Sequence, residues 1–126
     1  MNSPTPGSPA WLDQVTEDPI DPARPIVDPH HHLWRDRRGR PYLLANLRAD
    51  TDSGHNVEKT VFVECRASYR QDGPEHLRPV GETEFVAEIA SASAADDGQA
   101  TISGIVSHAD LTLGDAVSEV LDAHEE

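Results

Sequence analysis

The sequence predicts an α/β fold with a parallel sheet, on display as about three successive βα units. Three observations carry that prediction. The short runs "PIVDPHHH", "KTVFVECRA" and "ISGIVSHADL" are rich in β-branched residues and read as strands. Segments with apolar residues at helical spacing stand between and after them, at "YLLANLRAD", "ETEFVAEIASASAADD" and "TLGDAVSEVLDAHEE". Strands that alternate with helical crossovers pair in parallel, because a crossover returns the chain to the end it started from.

Taken in order, residues 1–24 form an irregular N-terminal arm. Proline recurs there too often for a helix or an interior strand, and Trp11 and Leu12 are the side chains able to pin it to a surface. The first strand is expected to stop at Asp28–Pro29, where proline removes a backbone donor. A short helix follows on Leu43, Leu44 and Leu47, flanked by the loop-like stretches "RDRRGRP" and "DTDSGHN". The second strand carries Val61, Phe62 and Val63, apolar on both faces, as expected inside a covered parallel sheet. "SYRQDGPEHLRPVG" reads as a loop, and Phe85, Val86, Ile89 and Ala90 line one stripe of the next helix. In the last helix Val117, Val120, Leu121 and His124 share a face, with Thr112 and Asp115 in capping-box spacing before it.

Three parallel strands leave two edges open, and open apolar edges invite association. Self-association through those edges is therefore expected of the isolated chain. A complete (β/α)8 barrel takes about 250 residues, against 126 here, so the sequence reads as the first part of a longer (β/α) protein.

Composition narrows the partners. Apolar residues make up 37% and aromatics 5%, a thin supply for the core of so small a chain. Ten Lys plus Arg against 23 Asp plus Glu give a formal charge of −13. Such a surface repels phosphate backbones and anionic lipid, which argues against nucleic-acid and membrane-surface binding. The single cysteine, Cys65, cannot form an internal disulfide and is expected to be a buried, inert thiol in a reducing compartment. No basic-then-apolar leader and no run of membrane-spanning length are visible, so a soluble, cytoplasmic protein is expected.

The chemistry concentrates at "IVDPHHHLW". Alternate residues of an extended segment face the same way. His30 and His32 can thus project together, while His31 points into the wall. Two imidazoles suit a divalent cation such as zinc, but a catalytic zinc needs at least three protein ligands, so further ligands must come from elsewhere. Asp28 either orients a ligand imidazole from behind or caps the following loop. Glu64 and His108 follow the second and third strands, at the ends where α/β active sites gather, and are candidate substrate-binding residues. The alternatives are a Glu64 ion pair with Arg66 or Arg70 and a loop-capping role for His108. His55 and His76 are expected in solvated loops, and His124 in packing.

These residues bear a family resemblance. "IVDPHHHLW" resembles the first barrel strand of the amidohydrolase superfamily, marked by His-x-His. "TVFVECRASY", "GETEFVAEIA" and "GIVSHADLTLGDAVSEVLDAH" are similar to its amidohydrolase-related branch, which includes dicarboxylate and sugar lactonases. The resemblance runs from about Pro25 to the end of the chain. It implies that residues 25–126 are the N-terminal part of a TIM (β/α)8 barrel-type hydrolase acting on a lactone, ester or amide of a small molecule. It also implies that His30 and His32 bind a divalent metal, most often zinc, which polarises a carbonyl and activates water. Later-strand histidines and a last-strand aspartate complete the site in that family and have no counterpart here. The branch also holds lactonases that work without metal, in which the pair would bind substrate, and decarboxylases. On this reading the chain alone is inactive. The alternative is a non-catalytic partial barrel that binds metal weakly or self-associates.

Overall fold

The computed structural model describes residues 2–126. Its elements are α1 (Pro9–Leu12), β1 (Pro25–His31), β2 (Trp34–Arg37), β3 (Arg40–Tyr42), α2 (Leu44–Thr51), β4 (Asn56–Val63), α3 (Val80–Ala94), β5 (Thr101–Val106) and α4 (Val117–Glu125), with 3-10 turns at Glu75–Leu77 and Leu111–Ala116. The fold is α/β, as the alternation of patterns predicts. β1, β4 and β5 form a parallel sheet in the order β1-β4-β5. No helix among the described residues is long and apolar enough to cross a membrane.

The sheet has one covered face and one open one. Phe62 and Ile102 on the covered face pack with Leu33, Leu47 and the α3 residues Phe85 and Val86 to form the core. The open face carries Val61 and Val63, in register with Gly104 and Val106 of β5. Val27 and Val106 there remain 57% and 49% exposed. β4 is the central strand, which accounts for its apolar residues on both faces.

Three sequence expectations need correction. First, "RDRRGRP" is not a loop: β2 and β3 form an antiparallel hairpin with Trp34 opposite Tyr42 and Arg37 opposite Arg40. Arg38 and Gly39 make its turn at φ 56° and 77°, the double positive φ of a tight two-residue hairpin turn. The Trp34 and Tyr42 rings lie 5.7 Å apart, and the Tyr42 hydroxyl donates to Asp50, tying the hairpin to α2. Burial and then the Asp50 carboxylate push the Tyr42 phenol up from its ordinary value. Second, β1 does not stop at Asp28–Pro29 but runs on to His31. Third, Thr112 and Asp115 do not cap α4. Asp110 instead accepts from the Thr112 N–H at 2.9 Å, and Gly114 at φ 62° breaks the 3-10 turn from the helix that begins at Val117. The capping chemistry is thus spent on the 3-10 turn, one step earlier in the chain.

The loop from Glu64 to Pro79 is held by the start of α3. A side chain at Gly81 would place Cβ 2.7 Å from the Arg70 nitrogen and 2.8 Å from the Ser68 carbonyl oxygen. Backbone cannot yield as a flexible side chain can. Gly81→Ala is expected to destabilise the fold by about 2–3 kcal/mol, as overpacking does, read as a lower midpoint in urea unfolding. A change below about 0.5 kcal/mol, the size expected of an ordinary surface substitution, would show that the loop does not press on α3. Next to it, Glu82 is 2% exposed. Its carboxylate accepts from the Cys65 N–H at 3.1 Å and the Ala67 N–H at 2.5 Å.

Candidate functional site

The three histidines divide by orientation: alternation along the strand separates His31 from its neighbours, and a bulge in β1 sets His31 as the one opposite Phe62. Asp28 pairs with Thr60 and His31 with Phe62, so β1 advances three residues while β4 advances two. An added residue re-aims the side chains that follow it. Asp28 supports the bulge: its Oδ1 accepts from the His30 N–H at 3.1 Å.

His31 turns inward and is 8% exposed. Its Nε2 lies 3.0 Å from the Thr60 hydroxyl, and its ring meets Phe62 edge-on at 6.0 Å. Its Nδ1 is buried without a partner among the described residues. Burial, offset only in part by the nearby His32 backbone and by the Asp28 carboxylate, holds the imidazole below its ordinary pKa. Burial thus disfavours the charged form of this ring. Thr60→Val, which keeps the shape and removes the partner, is expected to cost about 1–2 kcal/mol in thermal or urea unfolding; an unchanged midpoint would show that the hydroxyl contributes nothing.

His30 and His32 point toward each other, His30 exposed and His32 half-buried with its ring edge-on to Phe62 at 6.5 Å. Their Nε2 atoms are 3.3 Å apart and their rings meet at right angles with centroids 4.9 Å apart. Nδ1 of His32 donates to the Val63 carbonyl at 2.7 Å. A carbonyl can only accept, so the proton of the neutral ring sits on Nδ1, and Nε2 carries the lone pair. Backbone oxygen behind a ligand imidazole is a common way to fix its tautomer. The carbonyl belongs to the last residue of β4, so sheet pairing itself aims the ring.

The spacing can be tested against a metal. Two nitrogens at ~2.0–2.1 Å from a tetrahedral zinc lie about 3.3–3.4 Å apart, which the 3.3 Å pair matches. The two rings fit two ligand positions. Among the described residues no group of three or more His, Cys, Asp or Glu gathers at metal-binding distance, so Glu64 and His108 do not join the pair as ligands.

The other sequence candidates fall as follows. Asp28 supports the bulge rather than the imidazole; Val63 takes the second role, and nothing in a sequence marks a backbone carbonyl for it. The Glu64 N–H donates to the Val106 carbonyl at 2.9 Å, extending the sheet past β4. The alternative for Glu64, an ion pair with Arg66 or Arg70, does not form, and Arg70 pairs with Glu84. The His108 carbonyl accepts from His124 Nε2 at 2.9 Å, and the His108 side chain lines a concavity with Arg66, Tyr69 and Arg78. His124 Nδ1 in turn accepts from the Thr83 hydroxyl at 2.8 Å, so this histidine does pack, as a strut between α3, α4 and the end of β5. His76 is not a free loop residue: it pairs with Glu119 at 2.9 Å. Cys65 is half-buried beside Glu82, and burial followed by that carboxylate pushes its thiol up. Such a thiol is a poor nucleophile, in line with the inert role expected of it.

Comparison of the chain with family models, with curated proteins and with solved structures returns no match.

Proposed function

We propose that this chain is the opening part of an amidohydrolase-type (β/α)8 hydrolase, in which His30 and His32 hold one divalent cation, zinc by preference, for hydrolysis of a lactone, ester or amide bond in a small molecule. The observation that carries the reading is the 3.3 Å Nε2 pair at the carboxyl end of β1, aimed by the Val63 carbonyl at the carboxyl end of β4. Carboxyl ends of parallel strands are where (β/α) folds put their chemistry. The parallel sheet, covered on one face and valine-lined on the other, is the arrangement a barrel wall needs.

A cation held there supplies Lewis-acid polarisation of the scissile carbonyl and activation of water. The chain's own residues do the rest of the positioning. His31 anchors the bulge in the core through Thr60, Asp28 holds its backbone, and Val63 fixes which nitrogen of His32 is free. Glu64 and His108 follow β4 and β5, at the strand ends where this reading would bring a substrate.

The test is hydrolysis of a panel of lactones and esters with and without a chelator. On this reading the 126-residue chain, whose histidine pair gains no further ligand among the described residues, is expected to show no turnover above background. A protein carrying further βα units behind this sequence is expected to turn over and to stop on chelation. Chelator-insensitive turnover would contradict the metal assignment, and enzyme-like turnover by this chain alone would contradict its reading as a partial barrel. A second reading, a non-catalytic module that self-associates, draws on the exposed Val27 and Val106 and the open outer edges of β1 and β5. A chain that is dimeric or larger in solution and binds no cation would favour it.

A further inference from the structure

A concavity of about 630 Å³ opens beyond the carboxyl ends of β4 and β5, between the Arg66–Pro79 loop and the segment after His108. Its lining is unusual for a chain of charge −13. Arg66 and Arg78 both line it, yet among the described residues neither forms an ion pair. Nε of Arg78 and the hydroxyl of Tyr69 are buried there without a hydrogen-bond partner among the described residues. The His108 imidazole completes the set. Donors in a protein with a surplus of 13 acids find partners easily, and buried donors left unspent are costly. Two buried donors without a partner, the Tyr69 hydroxyl and Arg78 Nε, share one hollow with the exposed Arg66 guanidinium and the His108 imidazole, a set that suits an acceptor from outside.

Arg66 adds a second, independent observation. Its φ is 61°, in the left-handed region that a non-glycine residue occupies at a cost of roughly 1–2 kcal/mol. The strained residue stands just after β4 and keeps its guanidinium beside Tyr69, where it partly offsets the upward push of burial and of Glu64 and Glu82 on the phenol. Backbone strain of this kind clusters at ligand sites.

We infer that this concavity binds the carboxylate of a small organic acid, held by Arg66, Arg78, Tyr69 and His108. Planar guanidinium groups match a carboxylate's two oxygens, and a phenol donates to the same acceptor. The rim favours a single negative charge over a double one: Glu75 and Asp110 also line the hollow, although Asp110 is engaged by Thr112. A phosphate dianion would meet that repulsion twice over. The inference goes beyond the metal reading and needs no cation at His30 and His32.

The test is a titration of the 126-residue chain, followed by amide NMR at constant ionic strength, with acetate, propionate and inorganic phosphate as separate probes. Saturable shifts at Arg66, Tyr69, Arg78 and His108 are expected with the carboxylates, and weaker binding with phosphate. Tyr69→Phe is expected to weaken binding about tenfold with little loss of melting temperature, because the hydroxyl donates to no acceptor among the described residues. Arg66→Gly is expected to weaken binding and raise the melting temperature, since glycine relieves the left-handed strain. A merely structural Arg66 would lower the melting temperature instead. Absence of saturable shifts, equal affinity in the variants, or a destabilised Tyr69→Phe would overturn the site, and tighter binding of phosphate would overturn the carboxylate assignment.

Discussion

Glu82→Ala is expected to destabilise the protein by about 3 kcal/mol or more, the largest single effect we predict. The side chain is buried at 2% exposure, and two backbone donors, the N–H groups of Cys65 and Ala67, end on its carboxylate. Each buried donor left without an acceptor costs about 1–3 kcal/mol, and removal of a buried side chain leaves a cavity besides. The loss falls on a domain whose total stability is of order 5–15 kcal/mol. Glu82→Gln should recover part of the loss, because one acceptor oxygen remains while the amide NH2 faces a backbone donor. Urea unfolding followed by circular dichroism measures both. If Glu82→Ala shifted the midpoint by less than about 1 kcal/mol, the usual size of a point mutation, the clamp would be a bystander and the loop would be held by Gly81 packing alone.

The second large effect separates the histidines. His30→Ala and His32→Ala are each expected to reduce zinc affinity by at least the ~10–100-fold that loss of a mere outer-shell partner costs, with little change in the unfolding midpoint. His31→Ala is expected to do the reverse. It removes a buried ring packed on Phe62 and bonded to Thr60, costing about 2–4 kcal/mol by analogy with other buried large-to-small changes, while zinc affinity per folded molecule stays within about twofold. Zinc titration against a competing chelator, together with urea unfolding, gives the two readouts. Equal effects of all three substitutions on affinity would mean that the triple run acts as a flexible metal-binding loop and not as a strand with two faces.

Much of this was legible in the sequence where periodicity is strong. β4 and α3 announce themselves through Val61–Val63 and the Phe85/Val86/Ile89 stripe, and the alternation of strand and helix is enough for parallel pairing. The division of His30 and His32 from His31 follows from the two-residue period of an extended chain. What was hidden depended on contacts. The bulge in β1 appears only when Asp28 and His31 are set against Thr60 and Phe62. The hairpin escaped because its strands, "WRDR" and "RPY", lack apolar alternation; the signal present was an Arg-Gly pair flanked by Trp34 and Tyr42. Val63 contributes a carbonyl, which every residue has, and Glu82 looks like any acidic residue in the first turn of a helix. Tyr69 and Arg78 look like ordinary loop residues in the sequence, and only the structure shows the hydroxyl of one and Nε of the other buried without a partner among the described residues.

The claim on which the account rests is that His30 and His32 present their Nε2 atoms to one cation while His31 does not. Imidazole 15N NMR of the histidines during zinc titration reads it directly. The account predicts that one equivalent of zinc moves the Nε2 resonances of His30 and His32 together, with His32 Nδ1 still protonated toward Val63 and His31 unmoved. Shifts confined to other histidines, or a shift of His31 in step with its neighbours, would contradict it.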